Sequence, residues 1–141
     1  MEIQDVLIER YNKTNKFGAL LGMELEVHEP GNVTYSMIVK EEHQAVPSVS
    51  HGGVVAALID GTLGVAGLSL AAMENQVVST VEFKVNYLKP ANVNDSLRCT
   101  GKVVNAGKRF LYIEAEVKNQ DDIIIAKANG TFNKYPASNV F

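Results

Sequence analysis

At 141 residues, with 46% hydrophobic and 21% charged residues, the chain has the size and composition of one globular domain; disorder and collagen-like repeats are excluded, and a second domain has little room. The 13 Lys+Arg against 16 Asp+Glu leave a formal net charge of -3, which argues against a nucleic-acid partner, although a local basic patch can still hold a phosphate. The one cysteine, Cys99, allows no internal disulfide, and no Cys/His spacing suggests a metal site, so a reducing compartment is expected.

The opening Met1-Glu2-Ile3-Gln4-Asp5 has neither the basic start nor the apolar run of a secretory leader, and the expected location is the cytosol. Ile3, Val6, Leu7 and Tyr11 then recur at helical spacing among polar residues, predicting an amphipathic helix within residues 1–16. From Met23 the period becomes two. Met23, Leu25 and Val27, then Val33, Tyr35, Met37 and Val39, alternate with polar residues on either side of Pro30-Gly31-Asn32, the pattern of a hairpin. Glu41 to Ser50, broken by Pro47, reads as a loop in which His43 is solvated, as is His28 before it. Residues 51–72 are apolar nearly all round and predict a buried central helix, with Ser50 as its N-cap. Asp60 interrupts this stretch, which argues against a membrane span.

Four strand-like segments follow. In the first, Val77, Val81, Phe83, Val85 and Tyr87 share one face, and Lys89-Pro90-Ala91 ends it. Leu97 to Val103, Arg109 to Lys118 and Ile123 to Tyr135 come next, separated by turns at Asn105 to Lys108 and Asn119 to Asp122. The expected architecture is α+β, a single domain over 1–141 in which an antiparallel hairpin and a four-strand meander surround one long helix.

Chemistry concentrates on that helix. Gly52 and Gly53 bare two backbone N–H groups at its positive end, where an oxyanion or a phosphate can be held; a tight turn alone would also use them. Asp60 is the only ionisable side chain between His51 and Glu74, among Ala57, Leu58, Ile59 and Leu63. A carboxylate there must bond a hydroxyl such as Thr62, or face a cleft or a partner. Gly52 and Asp60 are eight positions apart, about 12 Å along one helix, too far to act on one carbonyl. Two copies related by a two-fold axis would bring the Gly52 end of one beside the Asp60 of the other. Gly61, Gly64 and Gly67 give the helix a smooth stripe for close approach by a sheet or by a partner helix. Lys108 and Arg109 at a hairpin tip, with Lys89, are candidate phosphate contacts, and Thr80 offers a hydroxyl on a strand.

His51-Gly52-Gly53, the small-residue helix with Asp60 nine positions after the histidine, Asn86-Tyr87-Leu88-Lys89-Pro90-Ala91 and Gly107-Lys108, in that order, resemble the hot-dog fold acyl-CoA thioesterases of the phenylacetate-degradation (PaaI-like) type. The resemblance covers roughly residues 15 to 135. It implies a sheet wrapped round the helix, homodimers with a continuous sheet that often pair into tetramers, and hydrolysis of a fatty or aromatic acyl-CoA with no cofactor beyond the CoA of the substrate and no metal. It further implies that Gly52 N–H polarises the thioester carbonyl, Asp60 of the other subunit attacks it or activates water, and Thr80 assists that water. His51 would hold the thioester end, and Gly53, Lys89, Lys108 and Arg109 would meet the CoA. One position departs from the pattern: where many members carry Asn or Gln, this chain has Ala45, with Gln44 adjacent. A non-catalytic acyl-CoA-binding module is therefore the alternative, with a hot-dog dehydratase a more distant third.

Overall fold

The computed structural model describes residues 2–141; Met1, the first residue of the expected 1–16 helix, lies outside them. The N-terminal region forms two helices rather than one. Helix α1 (Ile3–Thr14) stops at Asn15, whose side chain accepts the Gly18 N–H and so opens the short α2 (Lys16–Leu20). Strands β1 (Glu24–Glu29) and β2 (Asn32–Ile38) then pair as the expected hairpin. Its turn places Gly31 at φ +85° directly after Pro30, the positive-φ position of a type II turn that glycine fills without strain. The Gly31 N–H donates to Ser69 Oγ at 2.8 Å, tying the hairpin to the central helix.

The 41–50 segment is more ordered than a loop. A 3-10 turn (Glu41–His43) leads into a small hairpin of β3 (Gln44–Val46) and β4 (Val49–Ser50). His43 is buried, not solvated: its Nδ1 accepts the Lys40 N–H at 2.9 Å and its carbonyl accepts the His51 N–H at 2.8 Å. His28 remains exposed, with Nε2 2.8 Å from Thr34 Oγ1.

The central helix α3 (Gly52–Ala71) falls within one residue of its expected ends, 51 and 72. A 3-10 turn (Ala72–Glu74) follows, and Asn75 at φ 56° turns the chain out of it in the left-handed conformation that Asn tolerates. Strands β5 (Gln76–Tyr87), β6 (Ser96–Ala106), β7 (Phe110–Lys118) and β8 (Ile124–Pro136) complete one antiparallel six-stranded sheet in the order β1-β2-β6-β7-β8-β5. Only β6, β7 and β8 form a meander. β5 sits beyond β8, and β6 lies against β2, because the chain from β2 through α3 crosses to the far edge before the sheet is filled in. Both flanks of the sheet can then curl against α3, which contacts β2, β5, β6, β7 and β8.

The core explains why α3 needs no polar face. Leu58, Ile59, Leu63, Val65 and Ala66 are fully buried against Val33, Leu97, Ile113, Val117 and Ile125. Each larger aliphatic side chain so removed from water contributes about 1.5–3 kcal/mol. At Gly101 of β6 an added Cβ would lie 3.1 Å from the Thr62 carbonyl oxygen, so the helix backbone rests almost directly on the strand. Despite Asp60, the Gly52–Glu74 stretch is long and apolar enough to cross a membrane by length and composition; here it is the wrapped core of a sheet. The glycine stripe is met by the chain's own side chains: Met23 and Tyr35 over Gly61, Phe132 over Gly64, Ile113 and Leu111 over Gly67.

Candidate active site

The N-terminus of α3 is capped by His51 and not by Ser50. His51 Nδ1 accepts the Gly53 N–H at 2.8 Å. Ser50 Oγ instead donates to the His51 carbonyl at 3.1 Å. On the other side of the same peptide unit, the Tyr87 hydroxyl donates to the Gly52 carbonyl at 2.7 Å. The Gly52–Gly53 peptide is therefore held at both ends, by His51 on its N–H and Tyr87 on its C=O. The cap occupies the Gly53 amide. The Gly52 N–H, exposed at the positive end of the helix, makes no hydrogen bond to a described residue.

Asp60 is half-buried on α3, and its Oδ1 accepts the Thr80 hydroxyl at 2.8 Å. Thr62, the hydroxyl nearest in sequence, is fully buried and back-bonded to the Leu58 carbonyl at 2.7 Å, leaving nothing for the carboxylate. Thr80 reaches Asp60 because β5 carries a bulge. Thr80 pairs with Phe132 and Glu82 with Thr131, so Val81 is the extra residue. The bulge reverses the alternation. It turns Thr80 to the same face as the buried Phe132 and leaves Val81 55% exposed, against the period-two expectation that Val81 shares a face with Phe83.

Asp60 and Thr80 open onto a cavity of about 270 Å³ whose walls include Tyr11, Gly61, Gly64, Leu68, Val78 and Phe132. Burial pushes the Tyr11 phenol well above its ordinary range, with the adjoining Tyr35 and then the Asp60 charge adding to the effect. Tyr11 is thus a neutral O–H group at neutral pH, its oxygen accepting from Asn15 Nδ2 at 3.1 Å.

The basic residues divide between the two ends of α3. Lys89 lines a groove with Gly52 and Tyr87 at the N-terminal end. Lys108 lines one with Leu70, Ala71 and Lys134 at the C-terminal end. Arg109 lies with its guanidinium 5.4 Å from the Phe110 ring centre and its Nε 3.3 Å from Asn133 Oδ1. A 20-residue helix is about 30 Å long, so one chain does not bring Lys108 or Arg109 to Lys89. Within the same continuous helix, Gly52 and Asp60 stand about 12 Å apart, as their spacing requires. Ala45 and Gln44 lie in the β3–β4 hairpin, where Gln44 Oε1 accepts the Ser48 N–H at 3.1 Å and ties that side chain to its own loop. Among the described residues no three His, Cys, Asp or Glu side chains cluster to hold a metal ion.

Three contributors to these sites escape the sequence reading: Tyr87 as the partner of Gly52, and Tyr11 and Phe141 as walls of the Asp60 cavity. Only Tyr87 carried a signal, inside the Asn86-Tyr87-Leu88-Lys89-Pro90 motif.

A family model described as the thioesterase superfamily matches residues 48–126, which hold the α3 N-terminus, Asp60, Thr80 and all three basic candidates. A relative from Saccharolobus solfataricus, named provisionally as an esterase, is 31% identical over 88% of this chain and 86% of its own length. Acyl-coenzyme A thioesterase 13 of Homo sapiens is 27% identical, covering 81% of each chain. The solved structure of the PaaI protein from the phenylacetic acid degradation operon of E. coli superposes with a TM-score of 0.87 at 19% identity over 94% of both chains. A Streptococcus mutans structure bound to acetyl CoA gives a TM-score of 0.72 at 24% identity over 81% of this chain and 89% of that one. The fold is the hot-dog fold, and the chain belongs to the thioesterase superfamily.

Proposed function

We propose that this member of the thioesterase superfamily hydrolyses acyl-CoA thioesters to the free acid and CoA at a site shared by two copies of the chain. The observation that carries the reading is Asp60. A carboxylate on an otherwise apolar core helix, held by the Thr80 hydroxyl at 2.8 Å and open to a largely apolar cavity, is placed to act on a substrate with a hydrocarbon tail. In this reading the acyl chain enters the cavity, and the exposed Gly52 N–H at the helix dipole stabilises the oxyanion on the thioester carbonyl. Asp60 acts as general base or nucleophile, with Thr80 orienting the attacked or attacking group. His51 and Tyr87 keep the glycine peptide in place, and His51 is the residue assigned to hold the thioester end.

The roughly 12 Å between Gly52 and Asp60 is the reason this reading places the site between two copies. β5 supports this: it is an edge strand of 12 residues, and another chain can extend the sheet there beside Thr80. In such a dimer Lys89 of one copy and Lys108 and Arg109 of the other are available to the CoA phosphates. The human thioesterase relative and the fold neighbour bound to acetyl CoA support the choice of substrate class. Ala45, with Gln44 tied to Ser48, favours the second reading, a module that binds acyl-CoA without cleaving it.

CoA release from a panel of short, long and aromatic acyl-CoAs, followed with a thiol reagent, separates the two. Release that depends on Asp60 supports hydrolysis; binding without release supports the module. A strict monomer at micromolar concentration that still turns over would refute the shared site.

A further inference from the structure

We infer that the segment Ala137–Phe141 forms the end wall of the Asp60 cavity, and that Phe141 sets the length of acyl chain the site accepts; this rests on the thioesterase reading above. The cavity runs from Asp60 along one face of α3, past Gly61 and Gly64 to Leu68, an axial distance of about 12 Å. Val140 and Phe141 line it as well. Apart from Asp60, Ser79, Thr80 and the Tyr11 and Tyr135 phenols, the lining is apolar or glycine, which suits a hydrocarbon and not a nucleotide.

The wall has a fixed base and a lightly held tip. Ala137 is 4% exposed, packed in a second small core with Leu7, Leu68, Ala72 and Val77, and its N–H donates to the Asn75 carbonyl at 3.1 Å. From there the chain turns back, with the Val140 and Phe141 N–H groups both donating to the Ala137 carbonyl, at 3.0 and 2.9 Å. Beyond that turn the side chains are only partly covered: Val140 is 56% exposed and Phe141 40%. The guanidinium of Arg10, on α1, lies 6.0 Å from the Phe141 ring centre, a weak cation–π contact at an exposed site. An aromatic ring carried on a base that packs beside Leu68, and lining the same apolar cavity as the carboxylate, is placed to act as a length stop.

Gly64 supplies an independent handle. A Cβ built there would lie 3.5 Å from Phe132 Cε2, an ordinary contact, so packing does not forbid a methyl group at this position. The missing side chain is open cavity volume instead, and filling it shortens the space from the side while Phe141 bounds it at the end.

The test is a kcat/KM profile across saturated straight-chain acyl-CoAs of increasing length for the unmodified protein, Phe141→Ala and Gly64→Ala. Phe141→Ala is expected to move the optimum to longer chains, gaining about fourfold for each additional methylene admitted, while chains shorter than the original optimum change less than about twofold. Gly64→Ala is expected to move the optimum the other way. Profiles that keep their optimum in both variants, or that fall in parallel at every length, would overturn the inference. Failure of the unmodified protein to cleave any acyl-CoA would instead overturn the thioesterase reading on which it rests, before either variant is measured.

Discussion

Asp60→Asn isolates the charge of one oxygen pair with little change of shape. In the native arrangement Asp60 Oδ1 accepts the Thr80 hydroxyl at 2.8 Å, and an amide carbonyl can accept the same bond. The side chain is half-buried and makes no ion pair with a described residue, so its replacement strands no opposite charge among them. Stability is therefore expected to fall by no more than about 1.5 kcal/mol, the net worth of one hydrogen bond. Catalysis is expected to respond very differently. Losing a positioned general base costs about 10²- to 10⁴-fold, and a thousandfold loss corresponds to about 4 kcal/mol of barrier. Stopped-flow or quenched CoA release under single turnover, alongside thermal unfolding of both proteins, measures the two effects separately. Single turnover in isotopically labelled water then distinguishes the roles, since label entering the enzyme carboxylate identifies a nucleophile. A variant that retains kcat within about threefold, or one whose lost rate is matched by lost stability, would refute the assignment of Asp60.

Other consequences are as direct. Tyr87→Phe removes the 2.7 Å bond to the Gly52 carbonyl from a half-exposed ring, so unfolding should change by no more than about 1 kcal/mol; kcat should fall about tenfold with KM little moved, because the glycine peptide loses one of its two restraints. Gly53→Ala should be worse than Gly52→Ala. Its Cβ would lie 2.9 Å from His51 Nδ1 and displace the cap, a loss of about 1 kcal/mol, whereas a Cβ at Gly52 meets the Tyr87 ring at 3.5 Å; comparative thermal melts decide this. Cys99 is fully buried, and that burial pushes its thiol up to about 12, so the thiolate is absent at neutral pH. A thiol reagent should find no reactive cysteine in the native protein and one after denaturation, which also keeps the CoA-release assay free of background.

Some of this molecule was legible before any coordinates. The all-round apolar run from Gly52 to Ala71 has only one stable use in a folded domain, as a helix enclosed by other elements, and its ends follow from the glycine pair and the return of polar residues. The strands of the sheet announce themselves by alternation, and the β1–β2 hairpin by Pro30-Gly31-Asn32. Asp60 stood out because a carboxylate among Ala57, Leu58, Ile59 and Leu63 must have a reason to be there. The spacing of Gly52 and Asp60 on one helix also set their separation, since helical rise per residue is fixed.

What the alternation could not reveal is where it breaks. The extra residue at Val81 is defined only by the register of β5 against β8, yet it decides that Thr80 faces Asp60. The exchange of Ser50 for His51 as cap depends on whether a ring nitrogen can fold back onto Gly53, a matter of loop geometry set by the buried His43. Tyr87 meets Gly52 across 35 positions of sequence, and Phe141 meets Tyr11 and Asp60 around one cavity from three separate parts of the chain. Periodicity and local propensity are properties of neighbours along the chain. The site is built from groups brought together by strand order and by the curl of the sheet, which appear only once the whole core has closed.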